Sequence, residues 1–190
     1  MNYENASLNQ IKDLIKSCLR ELYQEYGDLF TKNEGRGISE RCLVFRFAYY
    51  LQNKMDDYFV DCDYNSSFVL YTNRRTGERK VKQRSGKPIV IDGISKKRFI
   101  DIIVHKRNDN PNDDFLCLEI KKWNNYPKSN REKDLNNLRV LTTQGVEGYQ
   151  YLYGFFLLLG KEMSDTKWII YEGGKVILNS FVFSNQTRLV

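Results

Sequence analysis

The residues best suited to chemistry in this chain are three acids and one amine: Glu40, Asp101, Glu119 and Lys121. Asp101 and Glu119 interrupt two short apolar runs, 99–105 (FIDIIVH) and 115–120 (FLCLEI). A polar turn at 107–114, containing Asn, Asp and Pro111, joins the runs. Runs rich in Ile, Val, Phe and Leu and bounded by turn residues read as buried strands. A turn of this length predicts an antiparallel hairpin. A lone carboxylate in an apolar strand must be paired, hydrogen-bonded or bound to a cation. Two of them on neighbouring strands would repel by roughly 4 kcal/mol at 4 Å in an effective dielectric near 20. Strand side chains alternate with period two, so Lys121 shares a face with Glu119 and offsets one charge. A divalent cation would settle the remainder. Mg²⁺ suits such a place because it takes carboxylate oxygens and keeps several waters.

Other elements must bring these residues together. Residues 5–26 predict a helix, with Leu8, Ile11, Leu14, Ile15, Cys18, Leu19, Leu22 and Tyr26 at spacings of three and four. Ser7 and Gln10 form a capping box at its start. Ser39 caps a second helix that runs to about residue 54, with Leu43, Val44, Phe47, Ala48, Leu51 and Met55 inward. Glu40 extends that inward stripe. As a first-turn acid it is also favoured by the helix dipole, whatever its function. Residues 58–64 (YFVDCDY) alternate as a strand, Asp61 and Asp63 on one face, Val60 and Cys62 on the other. Residues 73–87 form a basic arm holding Arg74, Arg75, Arg79, Lys80, Lys82 and Arg84. It reads either as a solvated loop or as a hairpin that grips phosphates. Ser129 and Glu132 open a third helix, to about residue 142, with Leu135, Leu138 and Leu141 inward. Residues 149–159 predict a central strand, apolar on both faces towards its end. Residues 168–171 and 175–178 flank Gly173 and Gly174, which signals a hairpin. Residues 181–183 are expected to add a short strand. The strand–helix–strand crossover from 115–120 to 149–159 predicts a parallel pair, hence a mixed sheet flanked by helices.

Composition narrows the chemistry. The 190 residues are expected to form a single domain, 1–190. A formal charge of +6 favours a polyanionic partner. The four cysteines show no metal-ligand spacing and have apolar neighbours, so reduced core thiols and a cytoplasmic setting are expected. No apolar run is long enough to cross a bilayer, and no membrane partner is expected. With one histidine, His105, neither two-histidine ribonuclease chemistry nor an HExxH zinc site can be built. GxSxG, GxxxxGK[ST] and GxGxxG motifs are missing as well, which argues against serine hydrolases and nucleotide cofactors.

The order of these residues resembles the PD-(D/E)xK nuclease superfamily, the restriction-endonuclease-like fold. Glu40 on a helix, Asp101 on one strand, then Glu119-Ile120-Lys121 on the next follow that family's motif over roughly 39–160. The segments ERCLVFRFAYYLQ, VDCDYN, DIIVHKR, LEIKKW and DLNNLRVLT look like those of small bacterial members. Two other acidic-x-basic tripeptides, Glu78-Arg79-Lys80 and Asp165-Thr166-Lys167, follow no apolar strand and are read as surface. Ile100 stands where the family name has Pro, a position that is not a ligand.

The resemblance implies an α/β, restriction-endonuclease-like fold with a mixed central β-sheet flanked by helices. An extra N-terminal helix and a C-terminal β-hairpin lie outside the region of resemblance. It further implies an Mg²⁺-dependent nuclease, with Mn²⁺ as a substitute. Asp101, Glu119 and the backbone carbonyl of Ile120 would hold the metal, Glu40 would complete the site, and Lys121 would act on water and phosphate. Arg74, Arg75, Arg79, Lys80, Lys82, Arg84 and Lys122 are the expected nucleic-acid contacts. DNA is the favoured substrate over RNA, and cleavage of both strands would favour a homodimer. The rival expectation is a non-catalytic nucleic-acid-binding or assembly protein on the same fold.

Overall fold

The computed structural model describes residues 6–31, 37–64, 66–72, 79–85, 89–91, 94–96, 100–106, 114–123, 128–144 and 151–181. Among these residues three α-helices flank a six-stranded sheet: α1 (Leu8–Thr31), α2 (Glu40–Gln52) and α3 (Lys128–Thr142). The six strands are β1 (Phe59–Tyr64), β6 (Ile100–His105), β7 (Asp114–Lys122), β8 (Tyr153–Leu159), β9 (Lys167–Glu172) and β10 (Lys175–Asn179), adjacent in that order. Four further strands, β2 (Ser66–Thr72), β3 (Arg79–Ser85), β4 (Ile89–Ile91) and β5 (Ile94–Lys96), pair as two separate hairpins.

The helix starts follow from local chemistry. Ser7 N donates to Gln10 Oε1 at 2.8 Å and Gln10 N donates back to Ser7 Oγ at 3.4 Å, a reciprocal cap on α1. At α2, Cys42 N donates to Ser39 Oγ at 3.2 Å. At α3 the first helical residue is Lys128, so Ser129 lies within the first turn and not at the cap expected of it. α1 runs past the expected residue 26 to Thr31, and β8 begins at Tyr153, four residues later than the expected 149.

The sheet is mixed. β6 and β7 are antiparallel, with Ile102 opposite Leu118 and Ile103 opposite Cys117. β7 and β8 are parallel, with Glu119 opposite Phe156 and Lys121 opposite Leu158, and α3 forms the crossover. β9 and β10 close the sheet as a hairpin through Gly173 (φ 55°) and Gly174 (φ 74°), the left-handed pair a two-residue turn demands. Alternation along the strands then builds two cores. Ile102, Val104, Leu116, Leu118, Ile120, Phe155 and Leu157 meet α1 and α2 on one face. Ile103, Cys117, Phe156 and Ile169 meet Leu138 and Leu141 of α3 on the other. β8 is covered on both faces, as expected of a central strand.

The basic arm divides. Arg79, Lys80, Lys82 and Arg84 fall on β3, whose backbone pairs with β2, so part of the arm is a hairpin and not a loop. Arg74 and Arg75 lie outside the described residues, as does most of the short strand expected at 181–183. No helix among the described residues is long and apolar enough to cross a membrane.

Candidate functional site

Asp101, Glu119 and Lys121 meet where β6 and β7 part. The paired register of these two strands reaches Ile102–Leu118 and stops. One step further on, the Asp101 side chain takes the place of a backbone acceptor. Its Oδ2 receives the N–H of Ile120 at 2.8 Å. The same oxygen lies 2.8 Å from Lys121 Nζ. Lys121 Nζ also donates to Glu119 Oε2 at 3.1 Å. β7 therefore supplies an acid and an amine on one face, as period-two alternation requires, and β6 supplies the second acid across the gap.

Glu40 arrives from the other side of the sheet. It is the first residue of α2, where the helix dipole favours an acid. Its Oε2 accepts the backbone N–H of Lys122 at 3.2 Å, and its Oε1 lies 3.6 Å from Lys121 Nζ. Glu40 is thus a first-turn acid whose carboxylate also reaches the end of β7.

A fourth carboxylate, Asp134 of α3, was missed from the sequence. Its Oδ2 lies 3.9 Å from Lys121 Nζ, and the residue is buried. The signal was present. Asp134, Asn137, Leu138 and Leu141 follow a three-to-four spacing, and all four are buried. An acid inside the inward stripe of a helix that packs on the site strand is unusual enough to mark.

Burial sets the charge state. Glu119 is 2% exposed, and its Oε1 has no hydrogen-bond donor. Its carboxyl pKa is pushed well above the usual range, first by burial, then by the Asp101 charge, with Asp134 adding to the effect and Lys121 opposing it. Burial acts on Lys121 in the opposite sense, lowering its pKa. Glu119 and Asp101, followed by Asp134, outweigh that, and the net pKa is raised above that of an ordinary lysine. The ammonium is therefore a fixed positive charge that can donate but not accept a proton at neutral pH.

The donor set is all oxygen: four carboxylates around one ammonium. That is the chemistry of a hard divalent cation, and Glu119 Oε1 is a buried oxygen still lacking a donor. As the side chains stand, no group of three or more His, Cys, Asp or Glu among the described residues closes into a metal-binding cluster, and Lys121 Nζ sits between the acids. Ile120 contributes its N–H to Asp101 and buries its side chain against the α1–α2 core.

Lys122, His105 and Trp123 have other surroundings. Lys122 faces away from Lys121 and is only 7% exposed, not solvated as a phosphate contact would be. His105 is buried with Nε2 2.9 Å from Asp61 Oδ2, a pair on the sheet face that carries Asp101. Trp123 is partly exposed, with Lys161 Nζ 5.0 Å from its ring centroid. Arg79, Lys80, Lys82 and Arg84 lie on β3, apart from the six-stranded sheet that holds the acids. Comparison with protein-family models, with curated proteins and with solved structures finds no match to this chain.

Proposed function

We propose that the chain is a divalent-metal-dependent nuclease, on a restriction-endonuclease-like arrangement of the PD-(D/E)xK type, acting on DNA in preference to RNA. The observation that carries this reading is the meeting of Asp101, Glu119 and Glu40 around Lys121 Nζ at 2.8, 3.1 and 3.6 Å, from three separate elements. A fold of ordinary purpose gains nothing from crowding several acids round one half-buried amine, because each charge drawn from water carries a desolvation cost.

Asp101, Glu119 and the carbonyl of Ile120 would hold Mg²⁺ or Mn²⁺, with Glu40 completing the set. Bound there, the metal supplies charge neutralisation at the scissile phosphate and lowers the pKa of a water. Asp101 and Glu119 would fix the position of that cation relative to β7. Lys121, held charged by its carboxylate neighbours, donates to the attacking water or to the phosphate oxygens and stabilises the negative charge that builds there. Glu40 and Asp134 keep the ammonium aimed at that point. The excess of basic residues, including those on β3, supplies the sequence-independent attraction for a polyanion. All four cysteines are free, which accords with a reducing, cytoplasmic setting.

The deciding experiment is incubation with plasmid and single-stranded substrates, with and without Mg²⁺. Metal-dependent cleavage that is lost in Asp101→Asn and Lys121→Ala, both still folded by circular dichroism, supports the proposal. Undiminished cleavage by either variant refutes the assignments. Metal-independent binding without any cleavage favours the non-catalytic alternative.

A further inference from the structure

The outer face of α2 carries side chains that the metal site does not use. Leu43, Val44, Phe47, Ala48, Tyr50 and Leu51 turn inward. Arg41, Phe45, Arg46 and Tyr49 are exposed. Phe45 is 61% exposed and Tyr49 53%, the two highest values among the large apolar side chains of the described residues. Scattered single hydrophobics on a surface need no explanation. Here the two most exposed share one helix face, four residues apart, with arginines beside them and no acid at the exposed positions of the helix.

We propose that α2 is a stacking platform for single-stranded nucleic acid, its bases on Phe45 and Tyr49 and its phosphates on Arg41 and Arg46. The proposal deepens the nuclease reading by naming the form of the substrate.

Three features select this occupant. Positions i and i+4 are about 6 Å apart along a helix axis, a spacing that an unstacked single strand can follow base by base. Aromatic rings flanked by cations are what a strand with exposed π-faces and a charged backbone requires. A second copy of this chain would bring its own arginines to the same face, against like charge. The third feature is position. Arg41 directly follows Glu40, so the stripe begins at the site carboxylate and leads away from it along the helix. The stripe thus runs from the edge of the site along the outside of α2. Arg46 is already braced, with Cζ 5.6 Å from the Tyr26 ring centroid. Trp123, two residues after Lys121, is less suited because Lys161 stands over its ring.

The test measures binding of fluorescent oligothymidylate and of a blunt duplex of the same length to the full chain in EDTA, so that cleavage plays no part. Phe45→Ala and Tyr49→Ala are each expected to weaken single-strand binding by roughly fivefold to a hundredfold, the range for loss of one stacked base. Duplex affinity stays unchanged, and Tyr49→Phe retains wild-type affinity. Equal losses for single strand and duplex overturn the platform, as does no loss in either alanine variant. If the alanine variants instead convert a dimer to monomer in sedimentation, without altering DNA affinity, the face belongs to a second copy and the proposal is wrong. Single-strand binding through Phe45 and Tyr49 by a protein that never cleaves would preserve this inference while removing the nuclease reading. Cleavage that ignores both aromatics would do the reverse.

Discussion

Asp101 Oδ2 and Ile120 N are 2.8 Å apart, at the place where the β6–β7 ladder has ended. A side chain there replaces a backbone acceptor, which ties the first acid of the site to the strand bearing the second. The same oxygen holds Lys121 Nζ. Position and charge of the site are therefore coupled through a single carboxylate.

Lys121→Met and Glu119→Gln should part company in stability. Removing the ammonium leaves acids in a buried site without their cation, a loss of about 3–5 kcal/mol for a broken buried pair. Glu119→Gln removes a carboxyl group that burial and its neighbours already disfavour as an anion. Urea denaturation in EDTA at pH 8 should show the lysine variant strongly destabilised and the glutamine variant equal to wild type or better.

The pH dependence follows from the direction of the Glu119 shift. Its folded pKa lies above the ordinary carboxylate value of 4.5. Its contribution to stability is complete below that ordinary value and is lost as pH rises through the folded pKa. Metal-free protein should therefore lose stability as pH rises above that ordinary value, and Glu119→Gln should flatten that decline. Lys121 is also raised, from 10.5, so the stability it contributes is lost only in strong alkali, in a separate window. Denaturation midpoints measured from pH 5 to 8 would expose an absent decline.

Asp134→Asn should slow metal-dependent cleavage by about tenfold. Lys121→Ala should cost a hundredfold or more, the usual loss for a group acting directly on developing charge. Asp134 stands 3.9 Å from the ammonium and acts by holding it. Its loss should appear in kcat and leave single-strand affinity in EDTA unchanged. A loss as large as that of Lys121→Ala would place Asp134 among the groups that touch substrate or metal.

The β9–β10 turn offers a test of the scaffold. Gly173 and Gly174 both have positive φ, at which an L side chain costs about 1–2 kcal/mol. A Cβ at Gly173 meets nothing, so Gly173→Ala should cost about that much and no more. A Cβ at Gly174 collides with Thr143 Oγ1 just beyond α3, so Gly174→Ala should cost clearly more. Thermal denaturation of the two variants side by side would reverse this order if the turn were not packed on α3.

Much of the molecule was legible in one dimension because its regularities are local. Period two placed Glu119 and Lys121 on one face. The three-to-four spacing of Leu43, Val44 and Phe47 fixed the inward side of α2, and the Gly-Gly pair announced the β9–β10 hairpin. The short polar turn required β6 and β7 to run antiparallel, and a helix between β7 and β8 required those strands to run parallel. What the chain could not disclose depends on distance through space. Asp134 joined the acids because the crossover lays α3 on the strand face bearing Lys121, although residue 134 is thirteen positions further along. Lys122 was buried because it ends a strand beneath Glu40, and a basic residue's solvation is not written in its neighbours. The raised pKa of Glu119 is the clearest case. Its sequence neighbours fix the face on which it lies, but the removal of water and the approach of Asp101 and Asp134 exist only once β6, β7 and α3 have packed.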